Sequence, residues 1–145
     1  MKEKKIVRTA LIIFLFFIAS FMNWGSFQAN PFQEFSNNLG LSFGNMNMTC
    51  NLNGWNSNLS IFGVSINNWI VVLLGIAIAI FIILDIKSIY SANKTILFVF
   101  IIYGIVHITA FGVFLLSKGK LGIGIILTLI TYIFLFILCK DTCDN

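Results

Sequence analysis

The chain has 145 residues, 59% of them hydrophobic and only 10% charged, with a mean hydropathy of +0.97. So few polar side chains leave no wet face for soluble helices, and the composition argues against a water-soluble domain. The net charge of +4 does not describe a nucleic-acid surface either, because Lys2, Lys4, Lys5 and Arg8 crowd the N-terminus while Lys87, Lys94 and Lys140 stand at the ends of apolar segments.

Four apolar stretches dominate the chain: Ile6–Met22, Trp69–Leu84, Thr95–Leu116 and Leu121–Cys139. A helix needs roughly 17–25 mostly apolar residues to cross the hydrocarbon of a bilayer. The pattern predicts an α-helical integral membrane protein, a single domain over 1–145. It is a four-transmembrane-helix bundle with spans at 6–22, 69–86, 95–116 and 121–139, and a small extracytoplasmic antiparallel β-sheet between the first two helices. The first stretch follows a basic run and has Ala19 and Ser20 near its end, as a signal peptide does, but its length from Ile6 favours a retained helix.

The loop 23–68 follows. Asn23 to Ser36 reads as a connector, with Phe27, Phe32 and Phe35 spaced for a short amphipathic helix following Pro31. Leu39, Leu41 and Phe43 then alternate with Gly40, Ser42 and Gly44, and the alternation resumes at Met46, Met48, Cys50 and Leu52. Gly44-Asn45 and Asn53-Gly54 break it, which is the signal of β-hairpins. Trp24 and Trp69 fall where interfacial aromatic anchors belong.

Orientation follows from the basic residues. With the N-terminus inside, Lys2, Lys4, Lys5, Arg8, Lys87, Lys94 and Lys140 are cytoplasmic, and only Lys118 and Lys120 are outside, their stems snorkelling along the helix end. Both termini are then cytoplasmic and 23–68 is extracytoplasmic. Cys50 lies outside and Cys139 and Cys143 inside, so no intramolecular disulfide is expected; Cys50 is a buried thiol or an intermolecular link.

Helix seams are marked by small residues: Gly75 and Ala79 on the second span, Gly104 and Ala110 on the third, Gly124 and Thr128 on the fourth, with Thr131 one turn further. His107, the only histidine, lies near the middle of the third span, and Tyr103 sits one turn earlier on the same face. Thr128, Thr131 and Tyr132 lie at comparable depth. Such a cluster can relay protons, bind a small polar ligand or join helices. No acidic residue shares the depth of His107, which favours an inward-facing, neutral, structural histidine. No catalytic residue, metal site or cofactor is expected, and Gly122-Ile-Gly124 alone is not a phosphate loop.

In layout the chain resembles the claudin and peripheral-myelin-protein tetraspans. Trp24 just after the first span matches the tryptophan with which their outer loop begins, and Asn53-Gly54-Trp55 is similar to their Gly-Leu-Trp element. Their motif continues into two disulfide-bonded cysteines, whereas here Cys50 precedes Trp55 and has no outer partner.

The leading functional reading is a small membrane scaffold or interaction subunit, not an enzyme. It works through its outer loop and helix seams, in the lipid bilayer, as a homo-oligomer or with other membrane subunits, and without nucleic acid. Two alternatives remain: a small transporter, channel or membrane enzyme built around His107 and Tyr103, or an accessory subunit of a large membrane complex.

Overall fold

A computed structural model describes residues 2–29, 48–61, 64–84 and 87–143. Among them, four helices carry the mass of the chain: α1 (Lys2–Phe21), α2 (Asn68–Leu84), α3 (Lys87–Lys118) and α4 (Ile123–Cys143). Two runs, Thr95–Ser117 in α3 with 23 residues and Ile123–Lys140 in α4 with 18, are long and apolar enough to cross a membrane. The apolar lengths of α1 and α2, Ile6–Phe21 and Asn68–Leu84, are shorter. α3 starts at Lys87, so the stretch 87–94, expected as a loop, is helical. Nothing in Ser88–Lys94 stops a helix: it holds no proline or glycine, and its polar residues are tolerated where packing does not decide. Asp85 and Ile86 lie outside the described residues.

The bundle is organised around one aromatic pair. Phe16 of α1 meets Tyr132 of α4 edge-on, ring centroids 4.9 Å apart at 79°. The other two helices cup these rings with glycine. A Cβ at Gly75 of α2 would overlap the Phe16 ring, and one at Gly104 of α3 would overlap the Tyr132 ring. The Tyr132 hydroxyl then donates to the Val71 carbonyl of α2. One ring pair thus touches all four helices, and an edge-to-face pair adds about 0.5–1.5 kcal/mol beyond its buried area. Ile12, Val72, Ile78, Ile101, Ile108, Phe111, Leu115 and Leu135 fill the core around it. Large apolar side chains also cover the outward faces, among them Val7, Leu11, Phe14 and Phe17 of α1, Leu73 and Ile80 of α2, Ile102, Val106 and Val113 of α3, and Ile130, Ile133 and Ile137 of α4.

One end of the bundle carries a three-stranded antiparallel sheet. Its centre is β1 (Gly25–Ala29), flanked by β2 (Met48–Leu52) and β5 (Gly119–Leu121). Gly25 pairs with both Leu52 and Leu121, and Phe27 with both Cys50 and Gly119. β3 (Asn58–Ile61) and β4 (Val64–Asn67) form a separate antiparallel hairpin leading into α2.

Three expectations change here. The residues after the first helix, expected as a connector with Phe27 on an amphipathic helix, form the central strand; a strand between two partners satisfies its backbone on both edges, which outweighs a short helix. The sheet is not confined to 23–68, since the short link between α3 and α4 supplies β5. Asn53-Gly54 is not a hairpin turn, because β2 and β3 belong to different sheets. The Asn53 side chain instead accepts from the backbone N–H groups of Trp55 and Asn56, at 2.9 and 3.0 Å, and folds a local turn. Phe32, Phe35, the alternation over 39–44, the Gly44-Asn45 break and Met46 lie outside the described residues.

Candidate functional site

The turn 53–57 lies between the sheet and the helices, and it joins three of the four. On its first side is the C-terminus of α1, where helix geometry leaves carbonyls without intrahelical donors. Four consecutive carbonyls are satisfied there in turn. Phe17 accepts from the Ser20 hydroxyl at 2.7 Å, Ile18 from the Met22 N–H, Ala19 from the Trp24 indole Nε1–H at 2.7 Å, and Ser20 from the Gly54 N–H at 2.9 Å. The Trp55 indole Nε1–H donates to the Ser20 hydroxyl at 2.9 Å. Glycine at 54 eases this approach, because a Cβ would stand 3.0 Å from the Trp24 ring and 3.1 Å from the Ser20 carbonyl, close enough that a neighbour would have to shift by a few tenths of an ångström.

On its other side the turn reaches α2 and α3 through a chain of side chains. His107 Nε2 lies 2.7 Å from Asn68 Oδ1, Asn68 Nδ2 lies 2.8 Å from Ser57 Oγ, and the Ser57 hydroxyl donates to the Asn53 carbonyl. Asn68 also donates its backbone N–H to the Ser57 carbonyl at 3.0 Å. Proton counting fixes the direction of the chain. Ser57 has one hydroxyl proton, committed to Asn53, so it accepts from the Asn68 amide NH2. The Asn68 carbonyl oxygen therefore faces His107, whose Nε2 must carry the hydrogen. His107, Asn68 and Ser57 are buried. Among the described residues every buried side-chain nitrogen and oxygen has a partner. In a low-dielectric interior a fully satisfied network is rigid, and each missing member leaves a costly orphan.

A histidine linked by hydrogen bonds toward one end of a bundle invites a proton-relay reading, but the middle link does not suit one. A carboxamide donates and accepts without readily passing a proton through itself, and among the described residues no carboxylate touches the imidazole. The chain can hold, orient and exclude water; it supplies neither a nucleophile with a base nor an ionisable pair.

The other candidates fall into two groups. Tyr103 contacts the His107 ring, centroids 5.8 Å apart, but is 39% exposed and shares no hydrogen bond with it. Thr128 and Thr131 are buried and spend their hydroxyls on their own helix, on the Gly124 and Leu127 carbonyls. The structure therefore does not assemble a His–Tyr–Thr cluster. Gly75, Gly104 and Gly124 are notches for aromatic rings, Gly124 receiving Trp24; Ala79 is buried, and Ala110 packs against the core. Trp24 is fully buried, so it is a packing centre and not an exposed anchor; its own carbonyl and that of Asn23 accept from the Gly122 and Gly124 N–H groups and tie α1 to the start of α4. Trp69 is 37% exposed at the first turn of α2. Cys50 is a half-buried free thiol on β2.

Sequence reasoning missed Asn68 and Ser57, and it singled out Trp55 only as part of the Asn53-Gly54-Trp55 element, not as a partner of α1. Asn68 closes a run, Asn67-Asn68-Trp69, that reads as a polar loop end, and only the folded hairpin brings it to His107. Among the described residues no group of histidine, cysteine and acidic side chains could hold a metal ion. The chain matches no protein-family model, no curated protein and no solved structure.

Proposed function

We propose that this chain is a non-enzymatic integral membrane subunit that acts through contacts, with all four helices in the bilayer, both termini cytoplasmic and the sheet on the outer side. In its four helices, its small sheet and the tryptophan that follows the first helix, the chain resembles the claudin and peripheral-myelin-protein tetraspans, and this resemblance supports the reading. The apolar side chains on the outward faces of all four helices support insertion, since lipid solvates them and water does not. The shorter α1 and α2 fit the same bilayer through local thinning and flanking residues. Exposed Trp55, in tilted ring contact with Phe21, and exposed Trp69 then occupy the interfacial level.

The observation that carries the functional reading is the saturated clamp. His107, Asn68 and Ser57 use their polar atoms to fix the turn 53–57 on α1, α2 and α3. A turn held this rigidly, with the Asn56 carboxamide itself bonded to the Asn53 N–H and the Asn51 carbonyl, presents exposed Trp55 and Asn56 at fixed positions, as a recognition surface requires. The occupant is a second copy of this chain or another membrane subunit. Crosslinking in native membranes should capture an oligomer or a heteromeric complex, and Trp55→Ala with Asn56→Asp should abolish it while the bundle stays folded. A monomer in native membranes, with a transport or catalytic activity lost in His107→Leu, would overturn this reading in favour of a site at His107.

A further inference from the structure

At the end of the bundle opposite the sheet, α1 and α4 separate into a groove of about 310 Å3, open along one side. Arg8, Leu11 and Ile12 form one wall, and Phe134, Ile137 and Leu138 the other. The spacing of each set is i, i+3, i+4, so each wall is one continuous helix face. Arg8 is the single charged residue in the lining. It is exposed, and among the described residues it makes no ion pair or hydrogen bond. Lys4 lies one turn beyond it on α1, and Lys140 less than one turn beyond Ile137 on α4; both are exposed. The groove is thus apolar along its length and basic at its mouth.

We infer that this groove is a binding site for one anionic phospholipid, an acyl chain lying between α1 and α4 with its phosphate on the Arg8 guanidinium. The volume is at the low end for a ligand site, roughly 300–1,000 Å3, which suits a chain and leaves the headgroup outside. A guanidinium binds phosphate through paired, charge-assisted hydrogen bonds that a zwitterionic headgroup compensates internally. Basic pockets between helices on the cytoplasmic side recognise anionic headgroups in this way. The inference rests on insertion of the bundle in a bilayer, which alkaline carbonate extraction tests separately.

The experiment reconstitutes the full chain in nanodiscs with equal phosphatidylglycerol and phosphatidylcholine, releases it into mild detergent, and counts retained lipid by native mass spectrometry. Wild type should keep phosphatidylglycerol over phosphatidylcholine by about tenfold. Arg8→Gln should lose that preference and Arg8→Lys should keep part of it. Ile137→Trp, which fills the groove from its exposed rim, should release both lipids. Equal retention of the two lipids by wild type, or an unchanged preference in Arg8→Gln, would overturn the lipid site. Carbonate-resistant protein without a lipid preference would reject this site alone; protein extracted by carbonate would reject the site and the membrane reading together.

Discussion

Asn68 is the residue on which the polar chain turns, because its amide bonds both to His107 of α3 and to Ser57 of the turn 53–57. Removing the imidazole leaves its carbonyl oxygen buried without a donor, at a cost of about 1–3 kcal/mol. His107→Leu should therefore be destabilised by that amount yet remain folded, and His107→Lys should be far worse because it buries an unpaired ammonium. In the double variant His107→Leu/Asn68→Leu no carbonyl is orphaned. A double-mutant cycle read by unfolding in micelles should return a coupling of about 0.6–1.7 kcal/mol; a coupling near zero would mean that the two side chains are not partners. Cys50 makes a second prediction at this scale. Cys139 lies near the far end of α4, on the order of 24 Å from its first residue at a 1.5 Å rise. Bridged cysteines need Cα atoms within about 7 Å. Peptide mapping under non-reducing conditions should find no Cys50–Cys139 bond within one chain, and finding one would contradict the placement of both residues.

At the scale of elements, the seams are glycine notches filled by rings, and this separates glycines that look alike in the sequence. Gly112 of α3 has only ordinary neighbours, Ile125 and Leu121 at 3.7 Å from a built Cβ. Gly112→Ala should be neutral or stabilising by up to about 1 kcal/mol, the gain in helix propensity. Gly75→Ala and Gly104→Ala must displace Phe16 or Tyr132 from the core and should each destabilise the bundle by about 1–3 kcal/mol. Thermal denaturation in one detergent ranks the three, and parity among them would refute the notch assignment. The small-residue spacing did point to Gly75, Gly104 and Gly124, because close backbone approach leaves a mark in residue size. It could not say that the guest in each notch is an aromatic ring, since Phe16, Tyr132 and Trp24 come from distant segments. Alternation likewise revealed β2 in Met48, Cys50 and Leu52. β5 stayed hidden because three residues, Gly119-Lys120-Leu121, carry no measurable period, and β1 because Gly25 and Gln28 weaken its pattern. The apolar lengths gave the helices directly, whereas the partner of His107 depended on a hairpin register that no local signal encodes.

For the whole molecule, the proposed orientation makes a test of two positions at opposite ends. Lys120 is exposed on β5, an edge strand of the sheet, and Lys4 is exposed near the start of α1. In a variant with Cys50, Cys139 and Cys143 replaced by serine, a membrane-impermeant maleimide should label Lys120→Cys in intact cells. Lys4→Cys should be labelled only after permeabilisation. Labelling of Lys4→Cys in intact cells, or of both alike, would defeat the orientation. The test also probes Lys118 and Lys120, which stand against the distribution of the other basic residues. Their place follows from the sheet, whose third strand needs the segment 119–121 at the same end as β1.

That third strand has a consequence for how the protein is made. β1 leaves the ribosome early, but its partner β5 lies between α3 and α4, about 90 residues later. At roughly 5–20 residues per second, one edge of β1 waits on the order of ten seconds for its complement. Throughout that interval a nascent chain exposes an open strand edge, on the outer side in the proposed orientation, as a template for pairing with a neighbouring chain. A chain truncated after α2 keeps that edge permanently. A finished copy therefore differs from an unfinished one by a single row of paired backbone groups along β1.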